Sequence, residues 1–249
     1  MIAWTSLQNQ GSRKYMEDEF ILVPKFYKDF DLAAVFDGHG GSYVSEFCAK
    51  NIQTVLLRCI NQSNGNIRKA LVQCFHDLDD ELDVTKSRST GSTCLVILCD
   101  GKNQMWVANA GDSRAVMSKS KSSCIILSKD HKPDFPAERK RIEDNGGFIL
   151  NYGVWRVNGE LAVSRSIGDK KYRPLVIATP DVKRVRIDPK ENSMLILATD
   201  GLWDVVKNTQ AIRVATHAHR NKTSICKALL QKAMDNNMED NITILVGTI

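Results

Sequence analysis

Residues 32–41 read LAAVFDGHGG, so that five apolar residues run directly into Asp37 and Gly38. An apolar run of this length that ends at a glycine-rich turn is typical of a β-strand buried in a protein core. We therefore predict a core strand at this place, with an acidic side chain at its end.

The same pattern occurs twice more in the last third of the chain. Residues 194–199 form an apolar run that meets Asp200-Gly201, and Asp240 stands directly before the largely apolar residues 241–246. Carboxylates at the ends of core strands can converge on one edge of the core. Because ionised carboxylates repel one another and raise one another's pKa values, the expected reason to gather them is a hard divalent cation or a pair of them. The pattern predicts a metal-dependent hydrolase.

An Asp-Gly pair is also ordinary turn chemistry, since glycine accepts a positive φ and aspartate hydrogen-bonds its own backbone. Asp100-Gly101 is such a case, because it separates the apolar residues 94–99 from the apolar residues 105–108. We predict a hairpin loop there. Strand ends alone therefore leave both a turn and a metal site open.

Eight short blocks surround these strands. They are GSRKYMED at 11–18, DGHGG at 37–41, STGST at 89–93, GDSR at 111–114, DHKP at 130–133, RVNGELAVSRSIGD at 156–169, DG at 200–201 and DN at 240–241. In wording and order they resemble the type 2C protein phosphatases, a family of metal-dependent serine/threonine phosphatases. The resemblance runs from about residue 5 to residue 249.

The fold class follows from periodicity and from the resemblance. Apolar residues keep helical spacing at 44–59 and 67–82, and further helices are predicted at 138–145, 209–219 and 223–236. They alternate irregularly with many short strands, which argues for an α+β protein rather than for βαβ units. The resemblance implies two packed β-sheets flanked by helix pairs, a four-layer αββα sandwich.

Length and composition agree with one catalytic domain spanning residues 1–249. The chain is 43% hydrophobic and 25% charged, which are ordinary values for a globular protein, and it contains no linker-like tract or internal repeat. We expect no regulatory extension.

Compartment and partners are expectations from composition. No signal peptide or apolar run of ~18 residues is present, and seven cysteines without a CxxC pair predict reduced thiols, a cytoplasmic or nuclear location and no membrane. The net charge of +5 includes the basic clusters 170–173 and 183–186, which lack interleaved aromatics, so no nucleic acid is expected. Lys170, Lys171 and Arg173 are a secondary candidate for attracting a phosphorylated substrate. We expect a monomer that acts on phosphoproteins.

The resemblance implies the metal ligands residue by residue. Asp37 would bridge two Mg²⁺ or Mn²⁺ ions, and the backbone carbonyl of Gly38 would bind one of them. Asp200 and Asp240 would complete the coordination shell of the second ion. Glu17 would lie in or beside the coordination shell of the ion that Gly38 binds. Since every ligand atom is oxygen, hard ions are expected rather than zinc. A water shared by the two ions would attack the phosphorus in line.

Three further residues carry the implied chemistry. His39 would protonate the departing serine or threonine oxygen, as an imidazole with a near-neutral pKa can. The planar fork of Arg13 would bind phosphate oxygens, and Asp18 would hydrogen-bond metal-bound water. Taken alone, a histidine between glycines is equally a loop residue, and a lone arginine beside Lys14 is better explained as a surface residue.

A third, weaker ion near Asp112 and Asp204 is also implied, with Asp200 as a shared ligand. Two other readings stay open for these residues. Asp112 follows Gly111 at a strand end and can belong to a turn, and Asp204 can cap a short helix after it.

Other functions fit the residues less well. A dinuclear phosphodiesterase or nuclease would use similar ions, but no aromatic-basic groove or histidine-rich ligand set is visible. A catalytically weak scaffold of the same fold would have lost ligands, yet Asp37, Asp200 and Asp240 are present. A kinase is excluded, because neither GxGxxG nor GxxxxGK[ST] occurs.

Overall fold

A computed structural model describes residues 2–100, 102–118, 123–188 and 193–249. The strands are β1 Ala3–Asn9, β2 Glu19–Tyr27, β3 Phe30–Phe36, β4 Gly38–His39, β5 Gly91–Ser92, β6 Cys94–Cys99, β7 Gln104–Ala110, β8 Arg114–Ser118, β9 Cys124–Ile126, β10 Ile149–Tyr152, β11 Val154–Val157, β12 Ile167–Gly168, β13 Asp181–Arg186, β14 Met194–Ala198 and β15 Ile242–Thr248. The helices are α1 Tyr43–Gln62, α2 Ile67–Asp80, α3 Pro136–Asp144, a 3₁₀ turn Lys170–Tyr172, α4 Asp200–Trp203, α5 Asn208–Arg220 and α6 Ile225–Asp235.

Two five-stranded antiparallel sheets form the middle of the protein. Their strand orders are β1-β15-β14-β8-β9 and β13-β7-β6-β3-β2. Successive side chains of β3 point to opposite faces of its sheet: Ala33 and Val35 pack toward the other sheet, whereas Ala34 and Phe36 pack toward helices. Because both faces are covered, the run is apolar without alternation, as predicted.

Helices cover the outer face of each sheet. The apolar stripes of α1 and α2 pack on the sheet that contains β3, and those of α5 and α6 pack on the sheet that contains β14. Side chains cap two of these helices at their N-termini: Asn66 accepts from the amide of Lys69, and Ser224 accepts from the amide of Lys227. The predicted αββα sandwich of the α+β class is confirmed.

The hairpin predicted at Asp100 is also confirmed. It joins β6 to β7, and Oδ1 of Asp100 accepts hydrogen bonds from the amides of Lys102, Asn103 and Gln104 at 2.9–3.0 Å. Gly101, the other half of this Asp-Gly pair, lies outside the described residues. The Asp100 side chain therefore serves the connection between the two strands.

Helix α4 was not predicted. It begins at Asp200 directly after β14, so the acid at this strand end also opens a helical turn. Asp204 stands at the C-terminal end of α4 and donates its backbone N–H to the carbonyl of Asp200 at 2.9 Å. The suggestion that Asp204 caps a helix after it is therefore wrong, because α5 begins only at Asn208 and is preceded by Lys207.

Candidate metal centre

Three strand ends bring three carboxylates together at one edge of the sandwich. Asp37 follows β3, Asp112 follows β7 and Asp200 follows β14. One carboxylate oxygen from each lies within 4.8 Å of the other two. Three oxygens at this separation are spaced to bind one cation together or to share neighbouring cations.

The carboxylates of this cluster disfavour one another's charged form, and nearby positive charge would stabilise it. Burial and the nearby carboxylate of Asp200 raise the pKa of Asp37 well above its usual value. Burial and the carboxylate of Asp112 raise the pKa of Asp200 in the same direction. A buried carboxylate beside other carboxylates is stabilised in its charged form by hydrogen-bond donors or by a cation. The cluster therefore fits a divalent metal ion, and all of its donor atoms are oxygens.

One cation of the protein already touches this cluster. Nζ of Lys132 donates a hydrogen bond to Oδ2 of Asp112, whose side chain is almost fully buried. Burial by itself lowers the pKa of Lys132, but the carboxylates of Asp112 and Asp200 raise it above its usual value. Sequence reasoning missed Lys132, although it lies in the DHKP block at 130–133.

A cleft of about 280 Å³ opens over the cluster. Eight of the ten predicted site residues line it: Arg13, Glu17, Asp37, Gly38, His39, Asp112, Asp200 and Asp240. The other wall comes from Arg156 and from residues 161–163, which follow the β10–β11 hairpin. A larger cleft of about 900 Å³ on the flank of the sandwich contains none of the ten.

Asp240 lies at the mouth of this cleft and pairs with Arg13. Nη2 of Arg13 donates to Oδ2 of Asp240 at 2.5 Å, and the two side chains are 57% and 37% exposed. Asp240 is not in the group of carboxylates within 4.8 Å, where Asp112 takes its place beside Asp37 and Asp200. The guanidinium that was predicted to bind phosphate thus rests on a predicted metal ligand.

Glu17 and Gly38 are held against each other by the backbone. A Cβ on Gly38 would lie 2.3 Å from the carbonyl oxygen of Glu17, so only glycine fits at this close approach. The same carbonyl accepts from Oγ of Ser45 at 2.5 Å, and the amide of Glu17 donates to Oδ1 of Asn241 at 2.8 Å. These contacts place the Glu17 side chain at the cleft.

Asp18 lies beneath the cleft. Its Oδ2 accepts hydrogen bonds from the hydroxyls of Thr199 at 2.9 Å and Thr243 at 2.8 Å, and only 2% of the residue is exposed. Burial raises the pKa of Asp18 to about 7, and the hydroxyl bonds oppose this while the charge of Asp240 adds to it. Asp18 joins the strand ends that carry Asp200 and Asp240 from behind.

Asp204 stands next to the cluster and outside the cleft lining. Burial raises its pKa, whereas the ammonium group of Lys132 lowers it. Its carboxylate in turn helps to raise the pKa of Asp200. Asp204 therefore adds negative charge beside the carboxylate group without joining it.

His39 lies in β4 at the cleft and contacts a second buried acid. Its Nε2 is 2.7 Å from Oδ2 of Asp169, which is 1% exposed. Burial by itself lowers the pKa of His39, but the carboxylate of Asp169 more than offsets this and the pKa is raised. Sequence reasoning gave Asp169 no role, although it ends the block at 156–169.

The basic cluster at 170–173 forms ion pairs within the protein. Lys170 and Arg173 both donate to Asp79 of α2, at 2.9 and 2.8 Å, and Lys171 donates to Glu160 at 2.8 Å. Three cations thus share two carboxylates, and the secondary suggestion that they attract phosphate stays a prediction. Lys170 and Arg173 hold their segment against α2.

The sequence profile of the protein phosphatase 2C family matches residues 3–242. The chain belongs to this family. Probable protein phosphatase 2C 59 of Oryza sativa subsp. japonica is 41% identical over 86% of the chain and 65% of the relative, so the chain spans just under two thirds of that protein. Probable protein phosphatase 2C 45 of the same organism is 41% identical over 86% of the chain and 75% of the relative.

Solved structures of other proteins have the same fold. A C. elegans sex determining protein superposes with a TM-score of 0.89 at 25% identity, covering 99% of the chain and 64% of that protein. Serine-threonine phosphatase 2C from Toxoplasma gondii superposes with a TM-score of 0.87 at 24% identity, covering 99% of the chain and 94% of that protein. The family is metal-dependent, which agrees with the acidic group at Asp37, Asp112 and Asp200.

Proposed function

We propose that the chain is a metal-dependent protein serine/threonine phosphatase that hydrolyses phosphoserine and phosphothreonine. The observation that carries this proposal is the group formed by Asp37, Asp112 and Asp200 in one cleft with His39. Membership of the phosphatase 2C family supports the reaction class.

Two Mg²⁺ or Mn²⁺ ions would share Asp37, and Asp200 and Asp240 would hold one of them. Glu17 and the carbonyl of Gly38 would serve the other. Such ions would neutralise charge on the phosphoryl oxygens and activate a water for attack on phosphorus. Asp18 lies beneath this group and accepts hydrogen bonds from the hydroxyls of Thr199 and Thr243.

The proposed third ion has one well-placed ligand. Asp112 lies within the carboxylate group, and Asp204 stands beside it. Because the ammonium of Lys132 already contacts Asp112, an ion there competes with an internal cation. A weaker site is the expected result.

The chain's own residues supply binding and proton transfer. Arg13 at the mouth of the cleft can leave Asp240 for phosphate oxygens, which match its planar fork. His39, charged through its contact with Asp169, protonates the leaving serine or threonine oxygen. The cleft wall at 161–163 and Arg156 would face the residues that flank the phosphoamino acid.

We further propose that the protein acts as a monomer on phosphoproteins in the cytosol or nucleus, without nucleic acid or membrane partners. No disulfide joins the seven cysteines, all of which lie in the described ranges and six of which are buried, in keeping with a reducing compartment. Within those ranges, no helix combines the length and apolar character that a membrane span requires.

The decisive experiment is a panel of phosphoserine, phosphothreonine and phosphotyrosine peptides, assayed with Mn²⁺ and with EDTA. We expect release of phosphate from the first two classes only with metal. A His39→Gln variant should lose ~10²–10⁴-fold on these peptides, the usual contribution of general acid catalysis, and clearly less on p-nitrophenyl phosphate. Equal losses on both substrates would assign His39 to loop support.

A further inference from the structure

The carboxylate of Asp169 lies beside the cleft, and the proposed reaction gives it no separate role. It lies 130 residues from His39 in sequence, yet its Oδ2 is 2.7 Å from Nε2 of the imidazole. Its exposure is 1%, against 28% for the His39 side chain. The acid is therefore a buried partner behind a ring that reaches the cleft.

We infer that Asp169 is a positioning residue that fixes the orientation of His39, so that the imidazolium donates its Nε2–H to Asp169 and holds a proton on Nδ1 for the leaving serine or threonine oxygen. Transfer of that proton leaves the neutral ring as the Nε2–H tautomer. The inference rests on the proposed phosphatase function. A carboxylate only accepts hydrogen bonds, so the nitrogen that faces it must be the donor. Holding an imidazole in one tautomer by a buried aspartate is how acid–base histidines are commonly prepared for proton transfer.

The carboxylate of Asp169 does not cap the turn that it precedes. Asp169 precedes the 3₁₀ turn Lys170–Tyr172, but its side chain makes no capping hydrogen bond to that turn. The turn is anchored instead by backbone bonds, among them the amide of Asp169 to the carbonyl of Thr90 at 2.9 Å. The side chain is left for His39 and for Oγ of Ser166, which donates to the same oxygen at 2.6 Å.

The surroundings are shaped around the pair. A Cβ on Gly91 would lie 2.1 Å from Oδ2 of Asp169 and 2.6 Å from Nε2 of His39, so glycine is required to let the two groups meet. Asp169 itself has φ of +52°, a left-handed conformation that is unusual for a residue other than glycine. Backbone strain of this kind persists where the surrounding structure holds it in place.

The test is a double-mutant cycle with Asp169→Asn and His39→Gln, measured on a phosphothreonine peptide and on p-nitrophenyl phosphate. Asn has the same shape but presents an NH₂ donor, which favours the other tautomer. We expect Asp169→Asn to lower kcat on the peptide by up to the ~10²–10⁴-fold of general acid catalysis, with little change in KM and a smaller loss on p-nitrophenyl phosphate. In the His39→Gln background the same change should cost nothing further.

A merely structural role gives a different pattern. Asp169→Asn would then lower activity by the same factor in both backgrounds and on both substrates, and the inference would be overturned. Ser166→Ala is the matched control, since it removes the other hydrogen bond to the same oxygen and leaves the imidazole pair intact. It should leave the ratio of the two substrates unchanged, and Mn²⁺ affinity should be the same in all variants.

A second measurement uses the wild-type protein, so it does not depend on whether the variants fold. It also tests this inference separately from the proposed function. Long-range ¹H–¹⁵N NMR of the wild-type protein with Mg²⁺, above the pKa of the imidazole, should show Nε2 of His39 as the protonated nitrogen. A protonated Nδ1 would overturn the inference even if the enzyme is an active phosphatase. Absence of peptide hydrolysis with the expected tautomer would instead refute the function alone.

Discussion

Asp18→Asn should stabilise the metal-free protein, and the gain should grow with pH. Burial raises the pKa of Asp18 from 3.8 to about 7 in the folded chain, a difference of about 3 units. The folded state therefore holds this proton more tightly than the unfolded state does. Ionising the carboxylate costs folding free energy that is absent below pH 3.8, increases up to about pH 7 and is constant above it.

The size of the effect follows from that difference. At 1.36 kcal/mol per unit, about 3 units correspond to about 4 kcal/mol at pH 8. At pH 5 only about one unit is expressed, so the advantage of the neutral amide should grow by about 3 kcal/mol between pH 5 and pH 8. Asn can keep the contacts, because its Oδ1 accepts from the hydroxyls of Thr199 and Thr243 as the carboxylate does.

The assay is urea unfolding of wild type and Asp18→Asn in EDTA at pH 5 and pH 8, with Tm as a second readout. A gain of about 4 kcal/mol corresponds to a rise in Tm on the order of 10 °C for a chain of this size. Mg²⁺ should reduce the advantage, since a cation favours the charged carboxylate. An advantage that is the same at both pH values would refute the reasoning.

Three further outcomes are expected. EDTA should abolish turnover of p-nitrophenyl phosphate and Mn²⁺ should restore it, so full activity in chelator would contradict the metal centre. Asp200→Ala should lower kcat by more than the ~10–100-fold loss that is typical of residues outside the metal's first shell. Arg13→Ala should act mainly on KM if the guanidinium binds ground and transition states alike, so a pure loss of kcat would argue against a clamp. Lys132→Met should raise Mn²⁺ affinity on the order of tenfold, or about 1.4 kcal/mol, in calorimetry, because it removes the ammonium group that pairs with Asp112. The control Lys140→Met, at an exposed ion pair, should leave Mn²⁺ affinity unchanged.

Much of the fold could be predicted because the local pattern of apolar residues shows which faces of a strand or helix are buried. Residues 32–36 and 194–198 are apolar without alternation since both faces of their sheets are covered, and the helices over those sheets repeat their apolar residues every three to four positions. Helix α4 was missed because a four-residue helix is too short to show a period.

The candidate site was predicted less completely. The strand-end pattern found Asp37, Asp200 and Asp240, and family resemblance added Asp112, which the structure brings into contact range of Asp37 and Asp200. The predicted grouping of Asp240 with Asp200 stays a prediction; the two residues line the same cleft, and Asp240 also pairs with Arg13 at its mouth. Proximity of this kind depends on strand order.

The sequence by itself determined where the long helices and the apolar core strands lie and that acids stand at strand ends, because those features depend on neighbours within a few residues. Only the tertiary structure decided which charges meet. His39 reaches Asp169 across 130 residues and Lys132 reaches Asp112 across 20, through contacts set by the pairing of β4, β5 and β12 and by the packing of a loop on β7. A charged side chain in a periodic pattern looks alike whether water, a metal ion or a distant partner neutralises it, and the folded chain makes that choice through long-range packing.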